Sequence, residues 1–135
     1  MSATIEELAA FFAREFPQAD FAIEEVGDRS ARIRKSISQA HLRPGGTVSG
    51  PVLMEVADAA LYVAILGELG LVAMAVTSSL NVNFLRKPVA DRDIVAECHL
   101  MKVGKALVVG EVSLFSDGSE SPVAHAVGTY ALPGK

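Results

Sequence analysis

The stretch between Pro51 and Val76 limits the possible folds of this chain more than any other segment. Nearly every residue in it is Leu, Val, Ile, Ala or Met, and its charged residues are Glu55, Asp58 and Glu68. Its uninterrupted apolar runs fall well short of the roughly 18 residues that a membrane span needs, and a carboxylate such as Asp58 is costly in lipid. We therefore expect a buried helix followed by a buried strand.

The predicted helix begins at Pro51, whose missing N–H costs nothing in a first turn. Residues 51–66 are apolar on almost every side, so this helix must be surrounded by protein. Four Val-rich segments with period-two alternation follow it, at residues 72–85, 91–103, 106–116 and 122–132. Because they are long and consecutive, they favour an antiparallel meander, and the sheet must curve to cover the helix.

The first half of the chain contains one more helix and two shorter strands. Apolar residues at helical spacing predict a helix over residues 4–16, with Ser2 or Thr4 as its N-cap and Pro17 as its stop. Residues 21–26 and 31–37 are predicted strands, and residues 38–50 form a glycine-containing loop with room for a ligand. The element order predicts an α+β fold in a single domain covering residues 1–135.

Composition excludes several classes of function. The chain has 135 residues and a net charge of −4, which favours neither nucleic acid nor an anionic membrane as a partner. The single cysteine, Cys98, excludes an intrachain disulfide and a multi-thiolate zinc site, so no metal or redox cofactor is implied. The N-terminus lacks the basic lead-in of a targeting signal, which favours the cytoplasm. One sheet of this size leaves an apolar surface or an open edge, so we expect a homo-oligomer, either a dimer or a dimer of dimers.

Two segments resemble a known family. Residues 46–60, GTVSGPVLMEVADAA, resemble the His-Gly-Gly motif and the following helix of hotdog-fold acyl-CoA thioesterases, closest to the PaaI (phenylacetate-pathway) type. Residues 80–88, LNVNFLRKP, resemble the strand that follows in these proteins, and Gly104-Lys105 resembles the turn near their nucleotide end. The resemblance implies a hotdog fold, with an antiparallel sheet wrapped around a long helix. It also implies hydrolysis of a small or medium acyl-CoA, aromatic acyl groups included, to the free acid and CoA.

The resemblance assigns the chemistry to Asp58 and Gly50. Asp58 takes the position of the catalytic acid, as general base for water or as nucleophile, and the Gly50 N–H polarises the thioester carbonyl. Ser49 and Pro51 replace the family's His and second Gly, and Ser49 bears on how the turn meets substrate. The residues support these roles independently, because a helix N-terminus presents free N–H groups to an oxyanion. A carboxylate in an apolar helix also needs a partner or a function.

Two further side chains are candidates for the same site. Thr77 lies where related enzymes place a Ser or Thr that holds water or substrate, and we expect the partner subunit to supply it. Ser78 or Ser79 would take that role if the register differed by one or two residues. Glu55 precedes Asp58 by one helical turn and could share acid and base roles with it. We prefer the interpretation that Glu55 complements the helix dipole or faces a subunit boundary.

Basic residues are candidates for contacts with the thioester and with coenzyme A. Arg43 lies where relatives carry a polar residue, typically Asn, that contacts the reacting thioester, and His41 is an alternative for that contact. Arg86, Lys87 and Lys105 are candidate ligands of the coenzyme A phosphates, since an acidic protein needs a local basic patch to hold an anionic ligand.

Two other classes of function are alternatives to thioester hydrolysis. A serine hydrolase is disfavoured because Ser49 lies one place off the G-x-S-x-G elbow and no strand directly precedes it. A non-catalytic protein of the same fold that binds an acyl-CoA or another small ligand is the remaining alternative. The departures from the family pattern at Ser49 and Arg43 motivate it.

Overall fold

The computed structural model describes residues 2–133, which form two helices and eight strands. The helices are α1 (Ile5–Glu15) and α2 (Gly50–Leu69). The strands are β1 (Ala22–Gly27), β2 (Ser30–Lys35), β3 (Leu42–Arg43), β4 (Thr47–Val48), β5 (Val76–Phe84), β6 (Ile94–Val103), β7 (Leu107–Ser116) and β8 (Ala124–Ala131). Among these residues no helix is both long and apolar enough to cross a membrane.

Six strands form one antiparallel sheet in the order β1-β2-β6-β7-β8-β5. The expected meander is confirmed for β6, β7 and β8 but is wrong for β5, which pairs with β8 instead of β6. The reason is that β2 already occupies the other side of β6, so the free side of β8 remains for β5. As a result β1 and β5 are the two edges of the sheet.

Helix α2 lies across the sheet and forms most of the core, which confirms the α+β architecture. Its Leu61 side chain sits over Gly110 and Gly128, two glycines that face each other on β7 and β8. A Cβ atom on Gly128 would lie 2.5 Å from Leu61 Cδ1, so the two glycines allow the helix to approach the sheet closely.

The predicted buried strand after the helix is wrong in its starting point and in its burial, because most residues of β5 are exposed and none is buried. α2 continues to Leu69, and Gly70 ends it with a φ of 92°. Successive turns then occupy residues 70–75, in which the Val72 N–H donates to the Gly70 carbonyl and the Ala75 N–H to the Val72 carbonyl. The strand begins only at Val76. The apolar block is therefore a helix and a turn, with the strand starting at its last residue.

The first two turns of α2 are not covered on every side. From Leu61 to Gly67 each residue of the helix is buried, whereas Pro51, Met54 and Glu55 are exposed. Within this one chain, the expectation of a helix surrounded by protein is thus met in the C-terminal half. The uncovered face lies next to the polar residues of the helix.

Helix α1 covers one side of this region with aromatic side chains. Thr4 is its N-cap and forms a capping box with Glu7, which confirms the predicted start and selects Thr4 over Ser2. Phe11, Phe12 and Phe16 pack around the ring of Tyr62 on α2, with ring centroids 5.8 to 6.3 Å apart. The aromatic cluster extends to Phe21, ahead of β1.

The segment predicted as a loop contains a small hairpin. A 3-10 turn at Gln39–His41 leads into β3, which pairs with β4 across Gly45 and Gly46. Both glycines have positive φ, 101° and 74°, a conformation that other residues rarely adopt. Strand β4 of this hairpin leads directly to the start of α2.

Candidate active site

Asp58 is held by two hydroxyl groups from different strands. Thr77 Oγ1 on β5 and Tyr130 Oη on β8 each donate to Asp58 Oδ1 over 2.7 Å. No described residue donates to Asp58 Oδ2, and Asp58 is half-buried. Two charge-assisted hydrogen bonds to one oxygen orient the carboxylate and leave the other oxygen available.

All three residues belong to one chain, which corrects the expectation that a partner subunit supplies Thr77. The bond forms within the chain because β5 follows α2 after a short turn and runs back along it. Ser78 lies at the β-bulge between Thr77 and Ser79, and both serines are exposed. Of the three candidates, only Thr77 contacts Asp58.

Tyr130 is a functional candidate that the sequence analysis missed. Its side chain is 4% exposed and its ring stacks on Tyr62 at 5.9 Å. Burial raises the pKa of the Tyr130 hydroxyl above its ordinary value of 10.0, so the group remains protonated and able to donate. A single tyrosine in an alternating strand carries no pattern that distinguishes it, and only the pairing of β8 with β5 brings it to Asp58.

Asp58 lies in the wall of a pocket of about 450 Å³. Its wall combines aromatic rings with polar side chains, among them Asp20, Lys35, His41 and Glu55. The aromatic residues that line it are Phe12, Phe16, Phe21, Tyr62 and Tyr130. The pocket can therefore hold a mainly apolar group beside a carboxylate.

Lys35 is the second functional candidate that was not predicted from the sequence. It is 6% exposed, its Nζ donates to the Asp20 carbonyl over 3.0 Å, and Glu55 Oε1 lies 3.9 Å from Nζ. The sequence contains a signal for it, because Lys35 alternates with Ala31 and Ile33, which point into the core. A charged residue in the inward register of a strand is uncommon and indicates a specific task.

Gly50 is the first residue of α2, where a backbone N–H has no partner within the helix. It borders a groove of about 700 Å³ that is lined by Arg43, Arg86 and Lys87 and by no acidic residue. The helix dipole adds further positive potential at this point. The groove suits an anionic group or a developing oxyanion.

Ser49 holds the turn before Gly50 through its backbone. Ser49 is the N-cap residue of α2, but its side chain makes no capping hydrogen bond, and its N–H donates to the His41 carbonyl over 3.0 Å. His41 Nδ1 accepts from the Ser38 N–H over 2.8 Å. Arg43 lines the Gly50 groove, whereas His41 lines the Asp58 pocket. The two residues predicted as alternatives for the thioester contact therefore lie in different sites.

The predicted phosphate-binding residues do not form one patch in a single chain. Arg86 and Lys87 follow the end of β5 at Phe84, which pairs with Ala124. Lys105 precedes β7, whose Leu107 pairs with Ala131 at the opposite end of β8. With about 3.3 Å per strand residue, the length of β8 separates these two places. Lys105 does not line the groove of Gly50.

Gly50 and Asp58 also cannot act on one atom in a single chain. They are eight positions apart on one helix, which corresponds to about 12 Å at 1.5 Å per residue. A thioester carbonyl spans far less than this distance. A site that uses both residues must combine Asp58 of one chain with Gly50 of another.

A long helix wrapped by a six-stranded antiparallel sheet, with a hydroxyl-bound carboxylate on that helix, defines a hotdog-fold protein. A family model described as the thioesterase superfamily matches residues 45–123, and the chain belongs to this superfamily. The resemblance inferred from residues 46–60 and 80–88 is thereby confirmed. A search of curated proteins found no match.

Solved structures agree with this assignment. A "putative thioesterase" from Silicibacter sp. is 40% identical, covers 96% of this chain and 91% of its own, and superposes with a TM-score of 0.88. The PaaI protein of the E. coli phenylacetic acid degradation operon is 20% identical over 96% of this chain and 92% of its own, with a TM-score of 0.83. A Streptococcus mutans protein bound to acetyl CoA is 17% identical over 90% and 94%, with a TM-score of 0.76. The last two show similarity of fold.

Proposed function

We propose that this protein hydrolyses acyl-CoA thioesters to the free acid and CoA, with Asp58 as general base or nucleophile. The observation that carries the proposal is the Asp58 carboxylate, oriented by Thr77 and Tyr130 through Oδ1 and facing a pocket with Oδ2 free. Membership of the thioesterase superfamily supports the same reaction. The aromatic pocket wall suits a small or medium acyl group, aromatic ones included.

The second component is the Gly50 N–H, supplied by Gly50 of the partner subunit because of the distance along α2. This N–H polarises the thioester carbonyl and stabilises the negative charge that develops on its oxygen. In the general-base route, Asp58 takes a proton from water, the water oxygen bonds to the carbonyl carbon, and the C–S bond breaks. The departing thiolate then takes up a proton.

The nucleophilic route starts from the same geometry. Asp58 Oδ2 attacks the carbonyl carbon, the CoA thiolate leaves, and water then hydrolyses the mixed anhydride. A single turnover in ¹⁸O-labelled water tests the nucleophilic route in one direction, because label in the Asp58 carboxyl establishes it. The nucleophilic route predicts ¹⁸O in the Asp58 carboxyl when water attacks the anhydride at that carboxyl carbon, and the general-base route predicts it in the released acid only.

The dimer that this mechanism needs is supported by the exposed edge of the sheet. β5 is an edge strand, and its terminal residues Val76 and Phe84 are 57% and 53% exposed. Leu85 and Met54 are 50% and 42% exposed nearby. Edge strands with apolar side chains readily pair with a second copy.

Coenzyme A is proposed to lie along the groove at Gly50, with Arg43, Arg86 and Lys87 near its phosphates. The groove holds three cations and a helix N-terminus, and acidic residues are absent from its lining. The acetyl CoA bound to the Streptococcus mutans protein of the same fold supports a CoA ligand. Lys105 remains a prediction, as do substrate contacts by Ser49 and Glu55.

The test is Asp58→Asn, which keeps the shape of the side chain and removes its charge. Thiol release from short, medium and aryl acyl-CoAs should fall by about 100-fold or more, the effect of losing a general base or nucleophile. Asp91→Asn, on an exposed loop, is the matched control and should retain full activity. Unchanged hydrolysis in Asp58→Asn would reject the assignment, and wild-type binding without thiol release would favour a non-catalytic acyl-CoA binding protein.

A further inference from the structure

Lys35 is a buried cation in the wall of the Asp58 pocket and has no role in the chemistry proposed above. Its side chain is 8% exposed, and it reaches the pocket from β2. Burial of an ammonium group is unfavourable unless hydrogen bonds compensate for the lost water. The contacts of Lys35 are therefore informative.

The hydrogen bonds of Lys35 are incomplete. An ammonium group has three N–H donors. One of them donates to the Asp20 carbonyl over 3.0 Å, and the next nearest acceptor, Glu55 Oε1, lies 3.9 Å away, beyond hydrogen-bond distance. Within residues 2–133, Lys35 makes no other hydrogen bond. At least one N–H of a nearly buried cation is thus free to bind an oxygen atom of a ligand.

We propose that Lys35 makes the pocket selective for acyl groups that carry an uncharged oxygen acceptor, such as a keto or hydroxyl group. The inference rests on the proposed function and extends it to the substrate class. The remaining wall near Lys35 is formed by the rings of Phe12, Phe16 and Phe21, which suit the hydrocarbon part of the acyl group. The ammonium group of Lys35, next to these rings, can bind one polar atom of the acyl group.

The charges around the pocket favour a neutral oxygen over a carboxylate. The carboxylates of Asp20, Glu55 and Asp58 line this pocket, in which Lys35 is the single lysine or arginine. A further negative charge would be repelled by all three. A keto or hydroxyl oxygen accepts the hydrogen bond without this repulsion.

The spacing along α2 sets the position of that oxygen in the acyl chain. Lys35 approaches Glu55, which precedes Asp58 by three residues and therefore lies about 4.5 Å from it along the helix axis. A carbonyl oxygen on the fourth carbon of an acyl chain lies at a similar distance from the thioester carbon. We therefore expect acyl groups with an oxygen on the fourth carbon to be preferred over plain acyl groups of the same length.

The experiment compares three five-carbon thioesters: 4-oxopentanoyl-CoA, pentanoyl-CoA and glutaryl-CoA. For the wild type, kcat/KM should be about 10- to 100-fold higher for 4-oxopentanoyl-CoA than for pentanoyl-CoA, the usual effect of a hydrogen bond to a charged group. In Lys35→Met this ratio should fall to about 1. Lys102→Met, an exposed lysine on β6, is the matched control and should keep the wild-type ratio.

Three outcomes overturn the proposal. The first is a wild-type ratio of kcat/KM near 1. The second is an equal loss of kcat/KM on 4-oxopentanoyl-CoA and pentanoyl-CoA in Lys35→Met, which indicates a structural role through Asp20. The third is a preference of the wild type for glutaryl-CoA. Lys35→Gln, a neutral polar side chain, provides a second variant should Lys35→Met fail to fold, and its ratio should also decrease. Kd values of the three thioesters, measured by calorimetry on Asp58→Asn, test the role of Lys35 separately from the proposed hydrolysis. An absence of hydrolysis rejects the proposed function, whereas equal Kd values reject the role of Lys35.

Discussion

Gly128→Ala should destabilise the protein because it places a methyl group where α2 packs on the sheet. The new Cβ would lie 2.5 Å from Leu61 Cδ1 and 3.1 Å from Leu80 Cδ1. Carbon atoms in proteins pack at about 3.5–4.0 Å, so Leu61 or the backbone must move by about 1 Å. Leu61 is 1% exposed, and its other methyl group, Cδ2, already lies close over Gly110, where an added Cβ would be 2.7 Å away. Overpacking of this kind costs about 1–3 kcal/mol.

The displacement should also reach the site. Asp58 lies one helical turn before Leu61, and Tyr130 follows Gly128 by two residues on β8. The Tyr130–Asp58 hydrogen bond of 2.7 Å therefore spans the two elements that the new methyl group pushes apart. A misplacement of about 1 Å in a catalytic group can reduce turnover by about 100-fold.

The assay is thermal unfolding combined with thiol release, at one protein concentration because an oligomer unfolds in a concentration-dependent way. Gly128→Ala should lower Tm by about 3–10 °C in a domain of this size. Leu61→Ala should be less destabilising in the Gly128→Ala background than in the wild type, since the added methyl group fills part of the cavity. Val127→Ala, the exposed neighbour, is the control. Strictly additive effects of the two substitutions would refute the packing argument.

Two further predictions address the site and the outer face of the sheet. Tyr130→Phe removes one donor to Asp58 and should lower kcat by about 10-fold or more. The loss should be constant between pH 6 and about 9, because the raised pKa keeps Tyr130 protonated there, and a loss that disappears at high pH would contradict this reasoning. The hydrogen bond from Arg34 lowers the pKa of Glu24 below its ordinary 4.5, so the stability that it contributes is present above that pH and is lost as the pH falls through the lowered value. Arg34→Met should thus reduce Tm at pH 7 and reduce it progressively less as the pH falls below 4.5, and a reduction that does not change with pH would instead indicate packing by the Arg34 stem.

Much of the fold is predictable from local patterns. Apolar residues at helical spacing over residues 4–16 and the mostly apolar stretch after Pro51 predict the two helices, because the burial of one face or of a whole helix leaves a direct signature in the sequence. Alternation predicts β6, β7 and β8 to within three residues. The pairing of β5 with β8 is not predictable in this way, since it depends on which strand edges remain free once β2 has paired with β6.

The same distinction applies to the candidate site, in which some residues can be identified from the sequence and their contacts only from the structure. Asp58 stands out because a carboxylate in an apolar helix is unusual, and Gly50 because a helix start presents free N–H groups. The family resemblance identifies the same two residues. Thr77 was identified through the resemblance, but its contact with Asp58 in the same chain is a property of the folded structure. Lys35 was detectable as a charge in an inward register, although its approach to the pocket was not.

The sequence by itself determined that one largely apolar helix must be wrapped by a sheet and that Asp58 within it requires a partner. These conclusions follow from local chemistry, namely hydrophobic periodicity and the desolvation of a carboxylate. Only the tertiary structure decided that the partners are Thr77 and Tyr130, and that Lys35 faces the same pocket. These contacts join α2 to the next strand, β5, and to β8 and β2, which are farther away in the chain. The order of strands that brings them together arises from competition for edges across the whole sheet.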